Sequence, residues 1–195
     1  MDMPIDRRAQ LMNAIVEALL AHGAAELSLR PLAERVGTSA RLLIYHFGSK
    51  EQLLADALAE VRHRILAALA ADAVKVHPKT LRELVMMVWD WAVAPTNQNY
   101  FRLLFEVDGL TMFDQMGSTQ EAGRAHTATW ISAIERAAER LPADGPLFAA
   151  HSTLILGGLA GLLQEFLSTG DLDRTTAAMS ALIDLIVQTP KGSKS

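Results

Sequence analysis

The chain has 195 residues, half of them hydrophobic and 21% charged, the balance of a folded protein rather than a disordered one. It contains no cysteine, which excludes disulfides, cysteine zinc sites, iron–sulfur clusters and thiol catalysis. Net charge is −4 and unevenly placed: residues 1–50 hold six Lys/Arg against five Asp/Glu, the remainder twelve against seventeen. That pattern suits a local anion-binding face and argues against a whole-surface polyelectrolyte binder.

Met1 to Arg8 mixes acids with Arg7 and Arg8 and leads into no apolar core, so no export signal is expected and the predicted location is cytoplasmic. Leu11, Ile15, Ala18 and Leu19 recur at i, i+4, i+7 and i+8 and predict an amphipathic helix ending near His22-Gly23. Ser28 is placed to cap a short second helix, with Pro31 in its first turn. Leu32, Ala33 and Val36 supply that helix's inner face, and Gly37 suits the left-handed residue of a helix-turn-helix. Thr38-Ser39 open a third helix over 39–46, with Leu43 inward and Arg41, Tyr45 and His46 outward; Phe47-Gly48 ends it.

Ser49 and Gln52 read as an S-x-x-Q capping box opening a long helix, roughly 50–72, in which Leu54, Leu58, Val61, Ile65 and Leu69 keep helical spacing. Lys50 in its first turn can join the helix N–H groups in holding a phosphate. Further helices are predicted near 79–94, 97–108, 119–141, 146–168 and 172–188. Their boundaries are Pro95, Gly109, the Pro142–Pro146 stretch, and Gly170 followed by Asp171 as an N-cap. No segment alternates apolar and polar residues as a half-buried strand would. The class is all-α, with about nine helices.

The run Leu29 to Leu54, with the helix before it, resembles the N-terminal domain of the TetR family of transcriptional regulators. The residues carrying the likeness are the L-x-x-L-A-x-x-V-G helix ending at Gly37, the Thr38-Ser39 turn, Tyr45-His46-Phe47, and Ser49-Lys50-Glu51-Gln52-Leu53-Leu54. They span about the first quarter of the chain. The resemblance implies a DNA-binding helix-turn-helix domain, 1–48, and a larger helical domain, 49–195, for dimerisation and ligand binding. It implies as partners a palindromic double-stranded operator, a second copy of the chain and a small-molecule effector. By position it puts Thr38, Ser39 and Arg41 near bases, Tyr45 and His46 near the backbone, and Lys50 on a phosphate; Arg30 is a further phosphate candidate. Three places depart from the family pattern. Arg41-Leu42 stand where Gly-Thr is frequent, Ile44 where Tyr is frequent, and Pro31 where an acidic residue is usual.

Aromatic and methionine side chains crowd the middle of the chain. Trp89, Phe101, Phe105, Met112 and Trp130, with His126 as a polar handle, are candidates to line an apolar ligand cavity; core packing is the alternative for each. Arg82, Arg102 and Arg124 are the main cations there, so the expected effector is largely apolar. Residues 147–167 are apolar almost all round and include Leu154, Gly158, Gly161 and Leu162. With the stripe Met179, Leu182, Ile183 and Ile186 on the last helix, they are expected to form a dimer interface. The most apolar run, Leu154 to Leu163, is about half the ~20 residues a membrane span needs, so no membrane partner is expected.

An enzyme is not expected. The six histidines are far apart with no H-x-x-x-H pair, so no metal site and no cofactor is predicted. Gly157-Gly158-x-x-Gly161 lies inside an apolar helix and follows no strand, so it is not a nucleotide loop. Two functional classes remain: a ligand-responsive DNA-binding regulator, more in keeping with a repressor, and a helical module that sequesters an apolar molecule without touching DNA.

Overall fold

The computed structural model describes residues 7–24, 28–112, 120–141 and 144–188. Among these residues are nine helices and no strand, the class predicted from sequence. They are α1 (Arg7–His22), α2 (Leu29–Arg35), α3 (Ala40–Phe47), α4 (Lys50–Val76), α5 (Leu81–Val93), α6 (Gln98–Met112), α7 (Gln120–Ala138), α8 (Gly145–Thr169) and α9 (Leu172–Gln188). Two helices run about a turn beyond expectation, and α7 stops short of it at Ala138. α4 continues to Val76, and α6 passes through Gly109 to Met112. A single interior glycine costs a helix only about 1 kcal/mol relative to alanine, too little to end one that is packed along its length.

The chain divides into two compact units, the first formed by residues 1–67 and 99–118 and the second by 68–98 and 119–195. In the first unit, Leu11, Ile15, Val16 and Leu19 of α1 are buried, as are Leu53, Leu54, Ala57, Val61 and Ile65 along α4. Leu103, Leu104 and Val107 bury one face of α6. Each such large side chain contributes about 1.5–3 kcal/mol on leaving water. Arg64 of α4 adds a polar clamp, donating to Glu17 at 2.7 Å and Asn13 at 2.8 Å on α1 while Glu60 holds its Nε at 2.9 Å.

The second unit packs α8 against α5, α7 and α9, and α5 against α9. The start of α5 is capped three ways. Thr80 Oγ1 accepts from the Glu83 amide at 3.2 Å, Glu83 from the Lys79 amide at 2.7 Å, and Asp144 from the Leu81 amide at 2.9 Å. Arg82 then joins α5 to α9 through Asp184 and the Ser180 hydroxyl. α8 ends on Gly170 in the left-handed conformation (φ +75°), and Asp171 caps α9 by accepting from the Arg174 amide at 3.1 Å, both as the sequence suggested.

α8 buries Phe148, Ile155, Leu159, Leu163 and Phe166, yet its opposite face is open and still apolar. Taken whole, Pro146–Thr169 is long and apolar enough to cross a membrane by length and composition, which the shorter run judged from sequence was not. Its buried face is part of the second unit's core. Among the described residues nothing covers the open face.

Candidate nucleic-acid interface

α2 starts where expected, with the Leu32 amide donating to the Ser28 carbonyl at 3.1 Å. The Ser28 hydroxyl makes no capping bond, however, so the predicted side-chain cap is absent. Leu32 and Ala33 turn inward, and the chain reverses through Val36, Gly37 and Thr38. Gly37 has φ +68°, the left-handed geometry a glycine adopts without strain. The Thr38 amide donates back to the Ala33 carbonyl at 2.8 Å and closes the turn.

Ser39 caps α3, its Oγ accepting from the Leu42 amide at 3.2 Å. Leu43 and Phe47 are buried and fix the rotation of α3 about its axis. Arg41, Ile44 and Tyr45 consequently share the outward face; Tyr45 is 80% exposed and Ile44 38%. Thr38 and His46 are half-buried, and the Tyr45 ring meets the His46 ring edge-on with centroids 5.1 Å apart. None of the eight residues of α3 is acidic.

Ser49 caps α4, accepting from the Gln52 amide at 3.1 Å. The predicted capping box is only half formed. The Gln52 amide group reaches forward to Asp56 at 2.8 Å, and the Ser49 N–H is already taken by the Phe47 carbonyl at 3.1 Å. Glu51 has its carboxyl held below the usual range by its own backbone N–H and by the Ser49 hydroxyl.

The starts of three helices meet on this surface. Ser28, Leu29, Arg30, Pro31, Ala40 and Lys50 line one open depression of about 790 Å³. Arg30 and Lys50, separate in sequence, are thereby on one wall system beside the N-terminus of α3. Helix N–H groups and two cations around a concavity form an arrangement suited to phosphate oxygens.

One member of the assembly carried no local signal in the sequence. Arg8 stacks its guanidinium over the Phe47 ring at 5.0 Å, donates to the His46 carbonyl at 3.3 Å and pairs with Asp56 at 2.5 Å. It ties α1 to the end of α3 and the beginning of α4. Partners 38 and 48 residues away leave no periodicity to read.

Residues 11–57 match the family model of bacterial regulatory proteins, tetR family. That segment, helix-turn-helix included, is similar to the N-terminal domain of this family. Similar solved structures extend the likeness of fold to the whole chain. A transcriptional regulator from Rhodococcus sp. Rha1 superposes with a TM-score of 0.73 at 18% identity, over 93% of this chain and 96% of that one. A TetR-family regulator from Rhodococcus sp. gives 0.71 at 20% identity, over 92% and 97%. The fatty acid degradation regulator FadR from Bacillus halodurans gives 0.58 at 16% identity, over 98% and 100%. No curated protein matches the chain. Over nearly the whole chain, the fold is shared with these regulators.

The residues read from sequence as ligand-lining do not behave alike. Trp89 has no accessible surface, and its indole N–H donates to Thr176 at 2.9 Å, so it is a core side chain of the second unit. A ring that no water can reach has no wall to offer a ligand. Phe101 and Phe105 are half-buried on α6 in the first unit, and Trp130 is half-buried on α7 in the second. Met112 and His126 have side chains outside the described residues.

The residues read as a dimer interface also divide. Met179, Ile183 and Ile186 are buried within the second unit of this one chain and are unavailable to another copy. Gly158 has the same explanation: a Cβ there would collide with Leu182 of the chain's own α9. Leu162 is half-buried. Leu154 is 52% exposed and Gly161 is open, as is Gly157 beside it. On α9 the most exposed large apolar residue is Leu185, at 68%, with Leu172 and Val187 exposed at the helix ends.

Proposed function

We propose that the protein is a homodimeric transcriptional repressor whose head, residues 1–48, binds a palindromic operator. A body, residues 49–195, dimerises and answers a small effector. The observation that carries this reading is the meeting of Arg30 and Lys50 around one depression beside the outward face of α3. In it Arg41, with Thr38 and Ser39, meets base edges, Tyr45 and His46 lie along the backbone, and Arg30 and Lys50 hold phosphates. The Ser39 hydroxyl, already accepting from Leu42, still has its proton to donate.

Dimerisation is supported by the open apolar side of α8, where Leu154, Gly157, Ala160 and Gly161 are exposed, together with Leu185 on α9. Covering such a strip with its own copy removes it from water and is the usual solution for a closed, symmetric oligomer. Two heads would then face half-sites about 34–36 Å apart. An effector that prefers a different head separation lowers operator affinity by population shift. The scarcity of cations in the aromatic stretch supports a largely apolar effector.

A gel shift with the duplex upstream of the protein's own coding region tests the DNA reading. A specific, salt-sensitive complex is expected. No complex at low salt would leave the protein a helical module for apolar molecules. An intrinsic-fluorescence screen of apolar, aromatic and cationic compounds tests the effector reading, and a compound that both changes the signal and releases the duplex is the expected result.

A further inference from the structure

Resting on the proposed reading of α3 as the groove-entering helix, we infer that Ile44 is a specificity-determining residue that recognises the 5-methyl group of a thymine in each half-site. The rotation of α3 is set by Leu43 and Phe47, which are buried on its inner side. Ile44 therefore shares the outward face with Arg41 three residues before it and Tyr45 after it. An aliphatic side chain gains nothing from phosphate. Along the major-groove edges of the bases, the one apolar feature is the thymine methyl. The surroundings match such a partner: α3 carries Arg41 and no acid, and Arg30 and Lys50 flank its start.

Side-chain geometry strengthens the assignment. Tyr45 has a hydroxyl that can serve a phosphate, whereas Ile44 has no polar atom and must find an apolar contact or stay wet. A β-branched residue in a helix has essentially one χ1 rotamer, so its methyl groups are presented in a fixed direction with little entropy to lose. Arg41, with a fork suited to guanine O6 and N7, lies about 4.5 Å earlier along the helix axis. One base-pair step is about 3.4 Å. The thymine read by Ile44 should therefore fall within about two base pairs of the base read by Arg41.

The test uses the full chain. Duplexes are selected from a random-sequence pool, and each thymine of the selected consensus is replaced in turn by deoxyuridine, which lacks only the methyl. At one thymine per half-site, binding should weaken about fourfold, the effect of one buried methyl group. The Ile44→Ala protein, checked for its helical circular dichroism, should bind thymine and uracil equally at that position. Arg41→Ala should keep the methyl sensitivity while losing a base preference nearby. A consensus in which every deoxyuridine is neutral would overturn the assignment and leave the DNA-binding reading standing. So would a methyl effect that persists undiminished in Ile44→Ala. Failure to select any duplex would overturn both.

Discussion

Glu106 on α6 accepts a hydrogen bond from the backbone N–H of Ala24, 82 residues earlier, at 2.8 Å. The bond joins α6 to the turn that follows α1, inside the first unit. Gly23 is what makes room for it. Its φ is +77°, and a Cβ built there would sit 2.7 Å from the Glu106 Oε2. A side chain at residue 23 would thus be strained in backbone and would push the carboxylate off its donor.

Gly23→Ala should therefore lower stability by about 1–3 kcal/mol, combining left-handed strain with the displaced hydrogen bond. Glu106→Ala alone should cost about 1 kcal/mol or somewhat more. The two changes break the same bond, so together they should cost less than their sum. Urea denaturation of the single and double variants measures this coupling. Strict additivity would mean that a side chain at residue 23 does not disturb the contact.

Much of the fold was legible because the chain punctuates itself. Gly48, Pro95, Gly170 and Asp171 stop or start helices by local chemistry, and each does so where the sequence placed it. What failed were several statements about which partner a side chain would choose. Gln52 fits a capping box by spacing but chooses Asp56, and Ser28 sits at a cap without making its bond. The stripe Met179-Ile183-Ile186 announces one buried face on α9, as its period requires. Periodicity cannot say whether a face is covered by the same chain or by another, and here the same chain covers it. Around α3, the outward placement of Arg41 and Tyr45 was legible, whereas Arg8 and the convergence of Arg30 with Lys50 needed the folded chain.

Acid should weaken the start of α9. The Asp171 carboxyl is held below its usual range, chiefly by the hydrogen bond from the Arg174 amide and then by the Arg174 guanidinium. A depressed carboxylate contributes stability that is present above its unfolded pKa, about 3.9, and is lost as pH falls through the folded value. Asp171→Asn should accordingly lower the Tm at neutral pH, with the difference from the parent shrinking as the pH falls through that carboxylate range. Thermal melts across that range would show it. A Tm difference independent of pH would contradict the assignment.

On the proposed DNA-facing surface, Arg41 and Lys50 should separate by what they read. Arg41→Ala should cost about 1–3 kcal/mol on the selected duplex and relax preference at one position per half-site. Lys50→Ala should weaken all duplexes alike and flatten the salt dependence by about one unit per lost phosphate contact. Titrations at several salt concentrations, on specific and unrelated duplexes, distinguish the two patterns. Unchanged affinity in both variants would rule out this docking face.

The two adjacent glycines of α8 give the sharpest test of assembly, because only one of them faces the chain's own interior. At Gly158 a side chain meets Leu182, so Gly158→Leu should overpack the protomer and cost about 1–3 kcal/mol of fold stability. At Gly157 nothing lies within 4 Å, so Gly157→Leu leaves the protomer's packing intact. If a second copy covers that face, Gly157→Leu should nonetheless loosen the dimer, as should Leu154→Glu, whose charge would be buried without a partner. Light scattering should give about 42 kDa for the parent, twice the 21.2 kDa chain, and a concentration-dependent fall toward the monomer for these two variants. A parent protein that stays monomeric at micromolar concentration would refute the interface. If Gly157→Leu and Leu154→Glu both remain fully dimeric, the two copies meet through some other surface, and the open side of α8 is left without its proposed role.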